Sequence, residues 1–194
     1  MIWIYLLLIV AILFDLYLAF KCIEFIYCAF IRRQPPLVSS TTKMRKVVIE
    51  QIKQTCPVAK NICEIGSGFG GLARMIAKNT NADVYALENM PFSAWVSKVC
   101  DKLFCKNNKT IWCDAFNFLD NTDKQFDVAV AFLGPKLTPQ MQKYANKIDV
   151  FISLDFEIPN LVPIYVIEIP GGYTEYNHKK YPHRLFVYKF LNMN

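Results

Sequence analysis

The sequence predicts an α/β fold: a doubly wound sheet of about seven strands with an antiparallel end, preceded by one N-terminal transmembrane helix. Three observations predict it. An apolar run fills residues 1–20, a glycine-rich turn joins an apolar strand to a helix near residue 66, and apolar strands alternate with helical segments as far as residue 154. At 194 residues the chain holds one ordinary domain and a short appendage, and is too short for two full domains.

The first segment reads MIWIYLLLIVAILFDLYLAF and carries one charge, Asp15. A helix needs about 20 apolar residues to cross the hydrocarbon core. Asp near the centre costs about 3 kcal/mol, while each Leu, Ile or Phe returns about 0.3–0.6, so insertion wins. A cleaved signal peptide would carry positive charge before the apolar run and a small-x-small site after it, and neither is present. A buried core helix is the other reading of the same run. Lys21 and Arg32-Arg33 follow the span, so the positive-inside rule puts the long C-terminal part on the cytoplasmic side of a membrane, or the matrix side in an organelle. The predicted organisation is an anchor over 1–31, a linker over 32–42 broken by Gln34-Pro35-Pro36, and a domain over 43–194.

Ser39–Thr42 offer N-caps for a helix over 43–54, with Met44, Val48 and Ile52 on one face. An apolar strand then ends in Glu64-Ile65, a second over 83–87 ends in Glu88, and a third over 110–113 ends in Asp114. FDVAVAF, 126–132, is apolar apart from Asp127, as a central parallel strand buried on both faces should be. A helix over 139–146 and strands over 148–154, 163–167 and 185–190 complete the set. Only about eight residues join strands five and six, too few for a helical crossover, so the last strands form an antiparallel extension linked by a loop holding Gly171-Gly172.

Composition narrows the chemistry. The net charge of +6 is spread along the chain without the basic, aromatic-interleaved stripe of a nucleic-acid site. Such a spread reads as a solvated surface, or as weak attraction to an anionic membrane. Seven cysteines with no CxxC pair match neither a disulfide framework nor a zinc site, which implies a reducing compartment and no metal.

The turn KNICEIGSGFGG carries the chemistry. Gly66 and Gly68 allow a tight turn and close approach of backbone to a ligand, with a helix N-terminus behind them. Gly66, Gly68 and Gly71 alone also fit a dinucleotide site. Glu64 shifts the reading, because a carboxylate beside a pyrophosphate gains nothing, whereas it complements the ammonium end of an aminoacyl-sulfonium ligand. Glu88 stands where a carboxylate accepts from both ribose hydroxyls. Asp114 either accepts from an adenine amino group, with Phe116 covering the ring, or caps a helix.

The EIGSGFG loop, the acid after strand two and the seven-strand count resemble the class I S-adenosylmethionine-dependent methyltransferase superfamily, with its Rossmann-like sheet. The resemblance covers about residues 43–190. The anchor, the basic proline-containing linker and the compact domain are similar to the membrane-anchored protein-lysine methyltransferases, mitochondrial enzymes of the ATP synthase c subunit and adenine nucleotide translocase and their bacterial relatives. Glu88-Asn89-Met90-Pro91 with Phe92 and Trp95, the run Ala131–Pro135, and Asp155-Phe156-Glu157-Ile158-Pro159 match that group. Phe69 departs from the acid usual between the second and third glycines, and the linker lacks the usual Thr-Pro pair.

The resemblance implies S-adenosyl-L-methionine as cofactor, held by Glu64, Gly66, Ser67, Gly68, Gly70, Glu88, Asn89, Asp114, Ala115 and Phe132, and a membrane-protein substrate, with no metal and no nucleic acid. Glu157, just after strand five, is the candidate for positioning an incoming lysine amine; a solvated loop carboxylate is its other reading. His178 and His183 in the final hairpin read as surface residues or as bases. A methyltransferase of a lipid or quinone-like small molecule is the alternative, and a nicotinamide-dependent oxidoreductase is disfavoured by Glu64.

Overall fold

The computed structural model describes residues 2–26, 39–176 and 179–190. Arg32-Arg33, the Gln34-Pro35-Pro36 break, the end of the 1–31 segment and His178 lie outside the described residues. The chain divides into two compact units, 1–38 and 39–194. The first contains helix α1 (Ile2–Ile26), which extends beyond the apolar run that predicts it. Its window Ile2–Ala19 has a mean hydropathy of 2.5 with none of it buried, long and apolar enough to cross a membrane by length and composition.

The second unit opens with α2 (Thr42–Thr55), capped by Thr41, whose hydroxyl accepts from Met44 N at 3.2 Å. Then follow β1 (Asn61–Ile65), α3 (Gly71–Asn79), β2 (Asp83–Glu88), α4 (Pro91–Phe104), β3 (Asn108–Trp112), α5 (Ala115–Asn121), β4 (Phe126–Ala131), a 3₁₀ segment (Thr138–Tyr144), β5 (Ile148–Leu154), β6 (Tyr165–Tyr176) and β7 (Lys179–Lys189). The seven strands lie in the order β3-β2-β1-β4-β5-β7-β6. Strands β1 to β5 pair parallel, while β7 runs antiparallel to both β5 and β6.

The period of two along each strand sorts the core into two layers. Ile62, Val84, Ala86, Val128, Val130 and Ile152 face α2 and α3, through Val48, Ile52, Leu72 and Ile76. Cys63, Ile65, Leu87, Ala129 and Phe151 face the opposite way, toward Leu119 of α5 and Met141 and Tyr144 of the 3₁₀ segment. Asp127, the one acid in the β4 run, accepts from the backbone N–H of Lys60 and Asn61, both at 2.7 Å, and so fixes the entry to β1. Lys147 donates to the carbonyls of Leu119 and Thr122 at the end of α5, complementing the negative helix terminus.

Three expectations change, the first being strand seven, which runs Lys179–Lys189 and not 185–190. The helix anticipated over 139–146 is a 3₁₀ segment instead. Pro139 has no N–H to donate back to Pro135, and the turn closes with short bonds such as Gln140 N to Leu137 O. Strand six is twelve residues and not five, because Gly171-Gly172 form an irregularity inside β6, between Ile169 and Tyr173, and no connecting loop. Beyond Leu185 the β6–β7 hairpin overhangs the end of β5, which is why Pro182 is tolerated in β7.

Helix α4 packs by polar contacts. Its buried side chains are Ser93, Ala94, Ser97 and Asp101. Asp101 accepts from Arg74 of α3 at 3.2 Å, from Asn108 at 2.8 Å and from Thr110 at 2.6 Å on β3. Ser97 joins the same cluster, its hydroxyl 2.7 Å from that of Thr110. Asp101→Ala leaves a largely buried guanidinium and two further donors without their acceptor, and is expected to cost about 3 kcal/mol. The midpoint of urea unfolding checks this; Asp101→Asn, which keeps an acceptor, should fall between the two.

Candidate functional site

The carboxyl ends of β1, β2, β3 and β4 meet along one edge, since Ile65 pairs with Leu87 and Ala131, and Glu88 pairs with Trp112. The glycine turn between β1 and α3 is bound to this edge. Gly66 N and Ser67 N both donate to Leu87 O, at 2.9 and 3.0 Å. Gly68 N donates to Glu88 Oε2 at 2.6 Å, and Met90 N donates to Glu88 Oε1 at 2.8 Å. The Glu88 carboxylate therefore ties the loop to the end of β2, a structural task beyond the ribose contact that its position predicts.

The loop's second clamp comes from Arg74, which donates to Phe69 O while holding Asp101 and Ser97. Gly70 sits inside this clamp at φ 71°; a Cβ there would stand 2.1 Å from Ser97 Oγ. Any side chain at 70 thus meets both left-handed strain and a clash. Phe69, which replaces the expected acid, packs edge-on to Phe92 with centroids 6.5 Å apart.

Glu64 is buried at the end of β1, on the face toward α2 and α3. Among the described residues Glu64 Oε2 has no hydrogen-bond partner, and neither does the buried Ser67 Oγ three residues on. Burial pushes the Glu64 carboxyl up to about 8, with the charge of Glu88 adding to the effect; the Ala73 N–H, Arg45 and Arg74 oppose it. Two unpartnered polar atoms beneath a glycine turn fit a polar or cationic ligand group, because an unmet buried donor or acceptor is otherwise costly.

The remaining predicted residues line the same edge. Asn89 follows Glu88 and its carbonyl accepts from Trp112 Nε1 at 3.1 Å. Cys113 N donates to Glu88 O at 3.0 Å, which brings Asp114 and Ala115 alongside. Asp114 caps α5, accepting from Asn117 N at 3.0 Å, so of its two readings the helix cap is observed. Phe116 lies 6.2 Å from the ring of Tyr144. Phe132, just past β4, lies 6.1 Å from Phe156 past β5. Glu157 is exposed beside it.

His183 departs from the surface-loop reading. It lies on β7, partly buried, with Nδ1 2.8 Å from Asp155 Oδ2. The other Asp155 oxygen accepts from Arg184 N at 3.0 Å. Asp155 holds φ 65° directly after β5, a conformation uncommon outside glycine. The ring packs against Gly172, where a Cβ would stand 2.7 Å from Nε2. Sequence spacing had no way to pair Asp155 with His183, nor Arg74 with Asp101, since both pairs join distant strands and helices. The regular Ser93, Ser97 and Asp101 spacing was the one available signal for the second.

The sequence matches no protein-family model and no curated protein. Solved structures share the fold. An RNA methyltransferase from Salinibacter ruber in complex with S-adenosyl-L-homocysteine superposes with a TM-score of 0.62 at 14% identity, covering 79% of this chain and 94% of that one. A precorrin-6y C5,15-methyltransferase from Geobacter metallireducens gives 0.59 at 12% identity over 79% and 91%. The TrmK protein of M. capricolum in complex with S-adenosyl-homocysteine gives 0.53 at 16% identity over 74% and 68%. The chain has the α/β methyltransferase fold, with the mixed seven-stranded sheet and antiparallel end.

The raised Glu64 carboxyl makes stability depend on pH. The unfolded chain gives up this proton near the ordinary glutamate value, roughly 4.3, while the folded protein holds it to about 8. The ligand-free protein should therefore lose stability as pH rises through that window and then level off. Glu64→Gln should remove that part of the slope, read from urea midpoints at several pH values.

Proposed function

We propose that this chain is an S-adenosylmethionine-dependent methyltransferase held at a membrane by residues 1–31, with 32–42 as linker and 43–194 as catalytic domain. Its substrate is a lysine of a membrane protein, and the catalytic domain lies on the cytoplasmic or matrix side. The observation that carries the cofactor reading is Glu64, a buried carboxyl with an unpartnered oxygen at the glycine turn. A dinucleotide pyrophosphate gains nothing from a buried carboxyl, whereas an ammonium group supplies the counter-charge that lets it ionise.

Ser67, Gly68, Gly70 and Asn89 would line the aminoacyl and ribose ends, Glu88 would take the ribose hydroxyls, and Asp114, Ala115 and Phe132 would border the base and reacting end. The cofactor supplies a methyl group already activated by a sulfonium, so the protein's task is alignment and handling of a proton. A lysine ammonium must shed its proton before it is a nucleophile. Asp155 orients the His183 ring through Nδ1, which makes this imidazole the candidate for handling that proton at the strand ends. Glu157, exposed on the same segment, would steer the incoming cation.

Calorimetry with S-adenosylmethionine should show binding with proton release at pH 6.5, as Glu64 ionises beside the ammonium. Titration in two buffers of different ionisation enthalpy reads that proton. Glu64→Gln should abolish the release and weaken binding at least tenfold, about 1.4 kcal/mol. Binding of NAD in place of the sulfonium compound would overturn the assignment.

With tritiated methyl donor and isolated membranes, label should enter protein at lysine; label confined to the solvent-extracted lipid would favour the small-molecule reading. His183→Asn should lower turnover at least tenfold with cofactor affinity unchanged. Unchanged turnover would remove it from the reaction.

A further inference from the structure

Helix α4 is built the wrong way round for a soluble surface. Ser93 and Ser97 are fully buried and Asp101 nearly so, whereas Trp95 is 61% and Leu103 68% exposed. Phe92, Trp95, Val99 and Leu103 follow one another at three- and four-residue steps, a single apolar stripe on the outward face. Trp112, 59% exposed, donates to Asn89 O just before the helix begins, and so adds to its first end. The cause is the Asp101 cluster: polar contacts with Arg74, Asn108 and Thr110 claim the inner face and turn the apolar one outward.

We propose that this stripe docks on the surface of an anionic lipid bilayer. Lys98 and Lys102 flank it one turn apart, both exposed, and the one acid of the helix, Asp101, points inward. Tryptophan, phenylalanine and leucine beside lysine are the composition of a helix lying in the headgroup layer. Lysine complements anionic headgroups, and nothing on the stripe repels them. A protein partner of this charge pattern would need an acidic rim; the α1 span on the same chain makes the bilayer the surface that is always at hand. The inference rests on the membrane reading of α1. It assigns the second unit its own lipid contact, through a helix that begins three residues after Glu88.

The chain has three tryptophans, Trp3, Trp95 and Trp112, which makes the test direct. Full-length protein is reconstituted in vesicles containing brominated lipid, with either phosphatidylglycerol or phosphatidylcholine headgroups. The Trp3→Phe chain reports α4, and the Trp95→Phe, Trp112→Phe chain reports the span. Docking predicts that Trp3→Phe loses most of its emission to bromines at shallow depth in phosphatidylglycerol vesicles. Neutralising Lys98 and Lys102 to Ala should lower the docked-to-undocked ratio roughly fivefold for each lysine. Quenching of Trp3 without quenching of Trp95 and Trp112 would overturn the proposal, keep the span and leave a protein as the cover. Quenching of α4 that ignores headgroup charge would overturn the anionic assignment. An unquenched Trp3 would overturn the membrane reading itself.

Discussion

One carboxylate organises this molecule beyond its own neighbourhood. Asp101 draws Arg74, Asn108 and Thr110 to a single buried point, and Arg74 reaches from there to the Phe69 carbonyl in the glycine turn. The geometry of the turn, the seat of α4 against β3 and the outward display of Trp95 and Leu103 are consequences of one cluster. Buried ion pairs are poor sources of net stability, because desolvation consumes most of the attraction. What this one supplies is register: it leaves α4 a single way to sit beside the cofactor edge.

The Glu88 carboxylate extends the same logic to the ligand side. By accepting from Gly68 and Met90, it preorganises the turn before any ligand arrives. Glu64 does the reverse. It is kept partly unsatisfied, and burial holds its proton. A site with one acid spent on architecture and another held in reserve gains its binding energy where the second is answered.

Much of this was legible beforehand because it obeys local periods. β1, β2, β4 and β5 stand where apolar runs meet turn residues, and Glu64, Glu88 and Asp114 stand at or just beyond strand ends, where the pattern puts them. What escaped had physical reasons. Gly171-Gly172 with Pro170 has the composition of a loop, yet β6 pairs with β7 on both sides of it, up to Ile169 and again from Tyr173. Periodicity alone puts the α4 stripe in a core, because an apolar face normally marks the inside. Only contacts made 27 and 9 residues away, by Arg74 and Thr110, reverse it. The Asp155–His183 pair spans 28 residues and forms because β7 lies antiparallel to β5.

The outer strand of the sheet has a bearing on solubility. Among the described residues β6, twelve residues long, pairs with β7 alone and so stands at the edge of the sheet. A flat edge of that length is a template for strand addition. Pro170 removes one donor, and the Gly171-Gly172 irregularity shifts the register midway. An incoming strand can match one half of the edge or the other, never both in a single register. Two glycines and a proline thus guard the sheet against growing past its seventh strand.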